Sequence, residues 1–147
     1  MATALFPGSF NPFTLGHADI VSRGLEIFDS IVIAVGVNAG KAPADAEAVA
    51  RPIRMLYADE PRVSVVTYNT LTIELARRLG VAFLLRGVRS VKDFEYERDM
   101  ADVNRQLSGL ESVILFSRPE LAAISSSVVR ELQSYGQDVS RFLPNKN

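Results

Sequence analysis

Cysteine is missing from all 147 residues, so neither a disulfide framework nor a cysteine-based zinc site can be built, and a reducing compartment is permitted. Cytoplasm is therefore the default expectation. Histidine occurs once, at position 17. Charge of neither sign dominates: 16 Lys and Arg stand against 17 Asp and Glu, for a formal net charge of −1. The chain thus lacks the global positive field of a dedicated nucleic-acid binder, and any anion site must be local. Long apolar runs are absent too. The stretch Met1 to Phe6 has no basic leader and is interrupted by Pro7-Gly8, too early for an export signal or a membrane span. Internal repeats and long charge blocks do not occur, and the Ala-rich stretch Ala39 to Ala50 is too short for an interdomain linker. With 48% apolar and 22% charged residues, the composition is that of one globular domain over residues 1–147.

Short apolar runs bounded by turn residues fall at Thr3–Phe6, Ser30–Val35, Val63–Tyr68, Val81–Leu85 and Ser112–Phe116, each with the length and Val/Ile/Phe content of a buried strand. Between them apolar residues recur every three or four positions, as in Val21, Leu25 and Phe28, and again in Tyr96, Met100, Val103 and Leu107. Strand and helix alternate. This order predicts a five-stranded parallel sheet with helices on both faces, a doubly wound, Rossmann-like α/β fold. Ligands of such sheets bind beyond the carboxyl ends of the strands, where strand order reverses, so the residues following each strand are the candidates.

After the first strand, Gly8-Ser9-Phe10-Asn11-Pro12 leads through Thr14 to Gly16-His17 at the start of an amphipathic helix. Free N–H groups at a helix start attract anions, and a glycine there lets a phosphate approach the main chain. A Pro/Gly-rich turn with a surface or capping histidine is the plain alternative. After the second strand, Gly36 to Ala42 imitates a P-loop, but it is one residue short and Ala42 stands where a magnesium-binding hydroxyl should be, which excludes that motif. After the fourth strand come Arg86-Gly87-Val88-Arg89 and Asp93-Phe94-Glu95-Tyr96-Glu97. Guanidinium groups bind phosphate oxygens bidentately, so the two arginines form a candidate polyphosphate clamp, or else a solvated pair beside an acidic helix. Past the fifth strand, Ile124-Ser125-Ser126-Ser127 precedes Val128-Val129-Arg130 and a short helix; these hydroxyls can cap that helix, hold phosphate, or both.

The first of these strings resembles the G-[ST]-F-[DN]-P-x-T-x-G-H signature of the nucleotidylyltransferase superfamily. The Arg86-to-Glu97 block is similar to R-G-[LV]-R-x-x-x-D-[FY]-E-[YH]-E of the phosphopantetheine adenylyltransferases, and Ile124 to Arg130 to their I-S-S-S-x-x-[RK]. Phe142-Leu143-Pro144 matches as well, so four blocks appear in family order between Ala4 and Pro144. Asn11 stands where aspartate is more frequent in that branch. The segment Ala44 to Tyr57 also departs from the family: it is Ala-rich, and its Pro52 is expected to break or start a helix. Relatives commonly continue past the position of Asn147.

The resemblance implies transfer of the adenylyl group of ATP to 4′-phosphopantetheine, giving dephospho-coenzyme A and pyrophosphate. It assigns ATP to Ser9, Phe10, Gly16, His17, Gly87, Arg89, Glu97, Ile124, Ser125, Ser126 and Ser127. Phosphopantetheine falls to Ser9, Lys41, Leu71, Thr72, Arg86 and Asn104. His17, Lys41 and Arg89 would act in catalysis, with Mg2+ carried by ATP and no metal held by the protein. A homohexamer inhibited by coenzyme A is the further expectation, with neither nucleic acid nor membrane as partner. Another nucleotidylyltransferase, using nicotinate mononucleotide or a cytidylyl donor, would share the Gly16-His17 loop but not the Arg86-to-Glu97 block. An idle nucleotide-binding module on the same fold would bind ATP without releasing pyrophosphate.

Overall fold

The computed structural model describes residues 1–37 and 43–145. Its elements run β1 (Thr3–Gly8), α1 (Leu15–Gly24), β2 (Ser30–Gly36), α2 (Pro43–Leu56), β3 (Val63–Tyr68), α3 (Thr72–Leu79), β4 (Phe83–Val88), α4 (Val91–Ser108), β5 (Glu111–Phe116) and α5 (Ser126–Ser134). Short 3-10 turns follow at Pro119–Leu121 and Ser140–Phe142. The sheet has the order β3-β2-β1-β4-β5, and every pair in it is parallel.

Two-residue alternation along the strands builds two cores, one on each face. Ala4, Phe6, Ile31, Ile33, Val35 and Leu85 pack with Ile20 and Val21 of α1 and with Ala46, Ala50 and Ile53 of α2. Leu5, Ala34 and Leu84 pack on the other face with Leu75 and Ala76 of α3. Crossovers between parallel strands are right-handed, so reversing the direction of strand addition after β3 sends α3 and α4 to the face opposite α1 and α2. Helix α1 lies very close to the sheet: a Cβ at Gly24 would come within 2.6 Å of a Leu85 methyl and 2.9 Å of Ile31 Cδ1. Glycine is the residue that permits this approach.

The sheet opens at its switch point. β1 pairs with β2 along its whole length, Thr3 with Ser30 through Gly8 with Val35. With β4 its register covers Ala4 with Phe83 and Leu5 with Leu84, after which the two strands part. Pro7 explains part of this. A residue's N–H and C=O lie on the same strand edge, and the Pro7 carbonyl accepts from Arg86 of β4, so the missing proline N–H also faces β4 and cannot extend that ladder.

Three sequence expectations need correction. The fourth strand runs Phe83–Val88 rather than Val81–Leu85, because Arg86 and Gly87 continue the extended backbone in register with Ile114 and Leu115. Leu25 and Phe28 fall past the end of α1. Pro52 lies inside a continuous α2; burial of Ala46, Ala50 and Ile53 against the sheet holds the helix together across the hydrogen bond that Pro52 cannot donate.

Helix α4, described throughout, is unusual in its orientation. Its apolar residues Tyr96, Met100, Val103 and Leu107 remain exposed, while Glu97 alone is buried. Asp93, Ala101 and Asn104, one helical turn either side of it and beyond, are the half-buried positions. The small and polar stripe faces the sheet, and the exposed apolar stripe lines a cavity beside the helix.

Candidate active site

Two cavities flank the gap between β1 and β4. The first, about 280 Å³, is lined by the β1–α1 loop, by Arg86, Gly87 and Arg89, and by Ile124 to Ser127. The second, about 380 Å³, lies under α4 and takes Leu71, Thr72, Tyr68, Glu97, Met100 and Asn104. Pro7, Gly8 and Arg86 line both.

The first cavity is built for anions. Thr14, itself buried, caps α1 in extended conformation, and its backbone N–H donates to His17 Nδ1 at 2.9 Å. With Nδ1 accepting, the neutral imidazole carries its proton on Nε2. Phe10 and Phe13 stand 5.0 and 5.3 Å from the imidazole, ring centre to ring centre, with Phe6 beyond them at 6.3 Å. Burial, and then the positive charges of Arg86 and Arg89, lower the His17 pKa from 6.5 to about 4. At neutral pH this side chain is an uncharged N–H donor. Phe10 is held at φ 46°, a left-handed conformation rare outside glycine, where its packing on Phe6 and Phe13 closes the apolar shell around His17.

A second helix start meets the first. Ser125 caps α5 by accepting from Val128 N at 3.2 Å. Ser126 Oγ donates to the Pro12 carbonyl at 2.7 Å. Arg130 Nη1 donates to the Asn11 carbonyl at 2.5 Å, and its Nη2 to Ser127 Oγ at 3.3 Å. The three serines therefore do different work: one caps, one ties α5 to the β1–α1 loop, and one holds Arg130. Two helix N-termini facing one cleft concentrate free N–H groups and positive dipole ends. Arg89 joins them, with Asp93 Oδ2 accepting from its backbone N–H at 3.2 Å and lying 3.5 Å from its Nε. Asp93 in turn donates its own N–H to Ser90, the cap of α4.

The structure thus brings Ser9, Phe10, Gly16, His17, Gly87, Arg89 and Ile124 to Ser127 together in one cavity. Leu71, Thr72, Arg86 and Asn104 meet in the other. Glu97 does not join the other residues assigned to ATP; it lines the second cavity. Lys41 lies outside the described residues. Among the described residues no group of three His, Asp or Glu side chains is placed to hold a metal ion, and no helix is long and apolar enough to cross a membrane.

Sequence reading missed several parts of this site. The Pro7 carbonyl gave no signal, since its partner Arg86 is distant in the chain, and of the two partners of Asp19 only Arg23, one helical turn away, was visible locally. Asp19 is bound by Arg23 of α1 at 3.1 Å and by Arg118 at 2.9 Å, strapping the segment after β5 to α1. Tyr68, whose hydroxyl is 3.0 Å from Thr72 Oγ1, looked like the last residue of a strand. Thr14 was legible, as a threonine just ahead of a helix.

An open parallel sheet with paired helix starts and arginines at its switch point defines a nucleotide-binding transferase of the cytidylyltransferase-like class, whose family model matches residues 5–132. A solved structure described as a nicotinate-nucleotide adenylyltransferase of Vibrio parahaemolyticus has the same fold. Its TM-score is 0.66 at 16% identity, over 99% of this chain and 95% of that one. Closer in sequence are the phosphopantetheine adenylyltransferases of Porphyromonas gingivalis, 54% identical over 96% of this chain and 93% of theirs, and Bacteroides fragilis, 48% over 98% and 97%. That of Leuconostoc citreum is 44% identical over 98% and 92%. The chain belongs to the phosphopantetheine adenylyltransferase family.

Proposed function

We propose that this chain, as a single catalytic domain, transfers the adenylyl group of ATP to 4′-phosphopantetheine, releasing pyrophosphate and forming dephospho-coenzyme A. The observation that carries the reading is the meeting of an anion-binding cleft and a larger, mostly apolar cavity at one guanidinium, Arg86. ATP occupies the first, its triphosphate along the starts of α1 and α5. The acceptor occupies the second, its pantetheine arm along Leu71, Thr72 and Asn104 and its phosphate toward Arg86.

A terminal phosphate oxygen of the acceptor attacks the α-phosphorus of ATP, a P–O bond forms there, and the bond to the bridging oxygen breaks with its electron pair leaving on pyrophosphate. The second pKa of a phosphate monoester is about 6, so the nucleophile is already ionised at neutral pH and needs no general base. The protein's task is to hold two polyanions in line and to stabilise charge as it builds. His17 Nε2–H donates to the α-phosphate, while Arg89 and Lys41 offset its charge, Lys41 also serving the acceptor phosphate. Mg2+ brought in with ATP would supply further charge neutralisation, with no protein ligand assigned to it.

The enzyme acts in the cytoplasm as a homohexamer subject to inhibition by coenzyme A, which carries both a pantetheine and an adenylate part. The exposed Phe116, stacked on Phe94 at 6.2 Å, favours association. Pyrophosphate release tests the reaction: with ATP and magnesium, phosphopantetheine supports turnover and nicotinate mononucleotide does not. Equal rates with both acceptors would remove the branch assignment, and ATP binding without any turnover would mark an idle nucleotide-binding module.

A further inference from the structure

The connection from Ser117 to Ser125 joins β5 to α5 and gives the first cavity one of its walls, through Ser117, Ile124 and Ser125. None of its residues is buried, and the first buried one after it is Val129. Apolar packing therefore does not fix the course of this segment, so polar bonds must. At its far end the bond from Ser126 to the Pro12 carbonyl does so.

At its near end the work falls to Asp19. Its Oδ2 accepts from Arg23 Nη1 at 3.1 Å and its Oδ1 from Arg118 Nε at 2.9 Å. The same Arg23 nitrogen donates to the Phe116 carbonyl at 2.9 Å. One carboxylate thus holds the chain on both sides of Ser117, by the carbonyl before it and by the side chain after it. From Arg118 onward each turn is bonded to the one before: Leu121 N donates to the Arg118 carbonyl at 2.9 Å and Ile124 N to the Leu121 carbonyl at 3.0 Å, as far as Ser125, the cap of α5. A shift at Arg118 is therefore carried to Ile124, whose carbonyl stands only 3.8 Å from where a Cβ on Gly16 would lie. Asp19 itself lines neither of the two cavities.

We infer that Asp19 is a positioning residue for the nucleotide side, setting the wall from Ser117 to Ser125 through Arg23 and Arg118. The inference rests on the reading of the first cavity as the ATP site. The Asp19 carboxylate is 15% exposed, so its pairs are screened less than surface pairs, although Arg118 is 53% exposed. Asp19→Ala should accordingly raise the KM for ATP by about 3- to 10-fold. The KM for phosphopantetheine should change little. Asp19→Glu, which keeps the charge, should recover part of the loss. Arg118→Ala should reproduce much of the effect and add little to Asp19→Ala, because both act through one contact.

Steady-state kinetics on the intact enzyme read these changes, and hydrogen exchange separates a local role from a general loss of stability. In Asp19→Ala the Ser117, Leu121 and Ile124 amides should lose protection while those of β1 and β2 keep theirs. Unchanged protection in the segment, equal rises in both KM values, or full additivity with Arg118→Ala would each overturn the inference. If wild type releases no pyrophosphate with phosphopantetheine, the functional reading fails instead. Calorimetric ATP affinities of wild type and Asp19→Ala then take the place of KM, and equal affinities would end the positioning role. Should Asp19→Ala not fold, Arg118→Ala, at an exposed side chain, carries the same measurements.

Discussion

The neutrality of His17 follows from where its ring sits, among Phe6, Phe10 and Phe13 and near two arginines. In the proposed reaction its N–H is aimed at developing charge, so His17→Ala should lower kcat by about 10²–10³ with a much smaller change in the KM for ATP, as when one preorganised donor is lost. Wild-type kcat with only a raised KM would mean uniform binding. Burial of the neutral ring also makes stability depend on pH. The unfolded chain takes up a proton on this residue below 6.5, the folded chain not until about 4. Stability present above pH 6.5 is therefore lost as pH falls through that window, by up to about 3 kcal/mol. Urea titrations of wild type and His17→Gln at pH 7 and near pH 4.5 check this. The substitution should flatten the loss, and parallel curves would trace it to other groups.

At the scale of elements, the cleft is made by how helices begin. Thr14 and Ser125 start α1 and α5, and the bonds from Ser126 and Arg130 to Pro12 and Asn11 keep the two starts facing each other. Helix α2 shows the opposite case, an element formed against its local signal. Pro52 is exposed and forgoes the bond to the carbonyl of Ala48 four residues back, while the buried side of the helix is well packed. Pro52→Ala should therefore stabilise the fold by about 1–2 kcal/mol, less than the full cost of an interior proline because the unfolded chain also gains freedom. A chain of this size should then melt some 2–6 °C higher. An unchanged or lower midpoint would show that α2 is already relaxed around its proline.

For the whole molecule, the Phe94–Phe116 stack leaves large apolar side chains in water beyond those that line the second cavity, an arrangement a lone monomer seldom keeps. Light scattering at micromolar concentration should give a mass six times that of the chain, and a monomer would remove the hexamer. Much of the architecture was legible beforehand. Each strand is a short run of β-branched and aromatic residues between turns, and buried parallel strands need no partner to announce themselves. Residues carrying short-range chemistry were equally plain: Gly16-His17 and Ser125 to Ser127 at helix starts, and Arg86 and Arg89 near the end of a strand. Tertiary structure alone decided the strand order, the parting of β1 and β4, the inward turn of α4's polar stripe, and the clasp of Arg86 by Glu97 and Pro7. Each depends on groups far apart in the chain, Arg86 and Pro7 by 79 positions. A local pattern records which face is apolar, but not what covers it, nor which distant carbonyl or carboxylate will meet a buried cation.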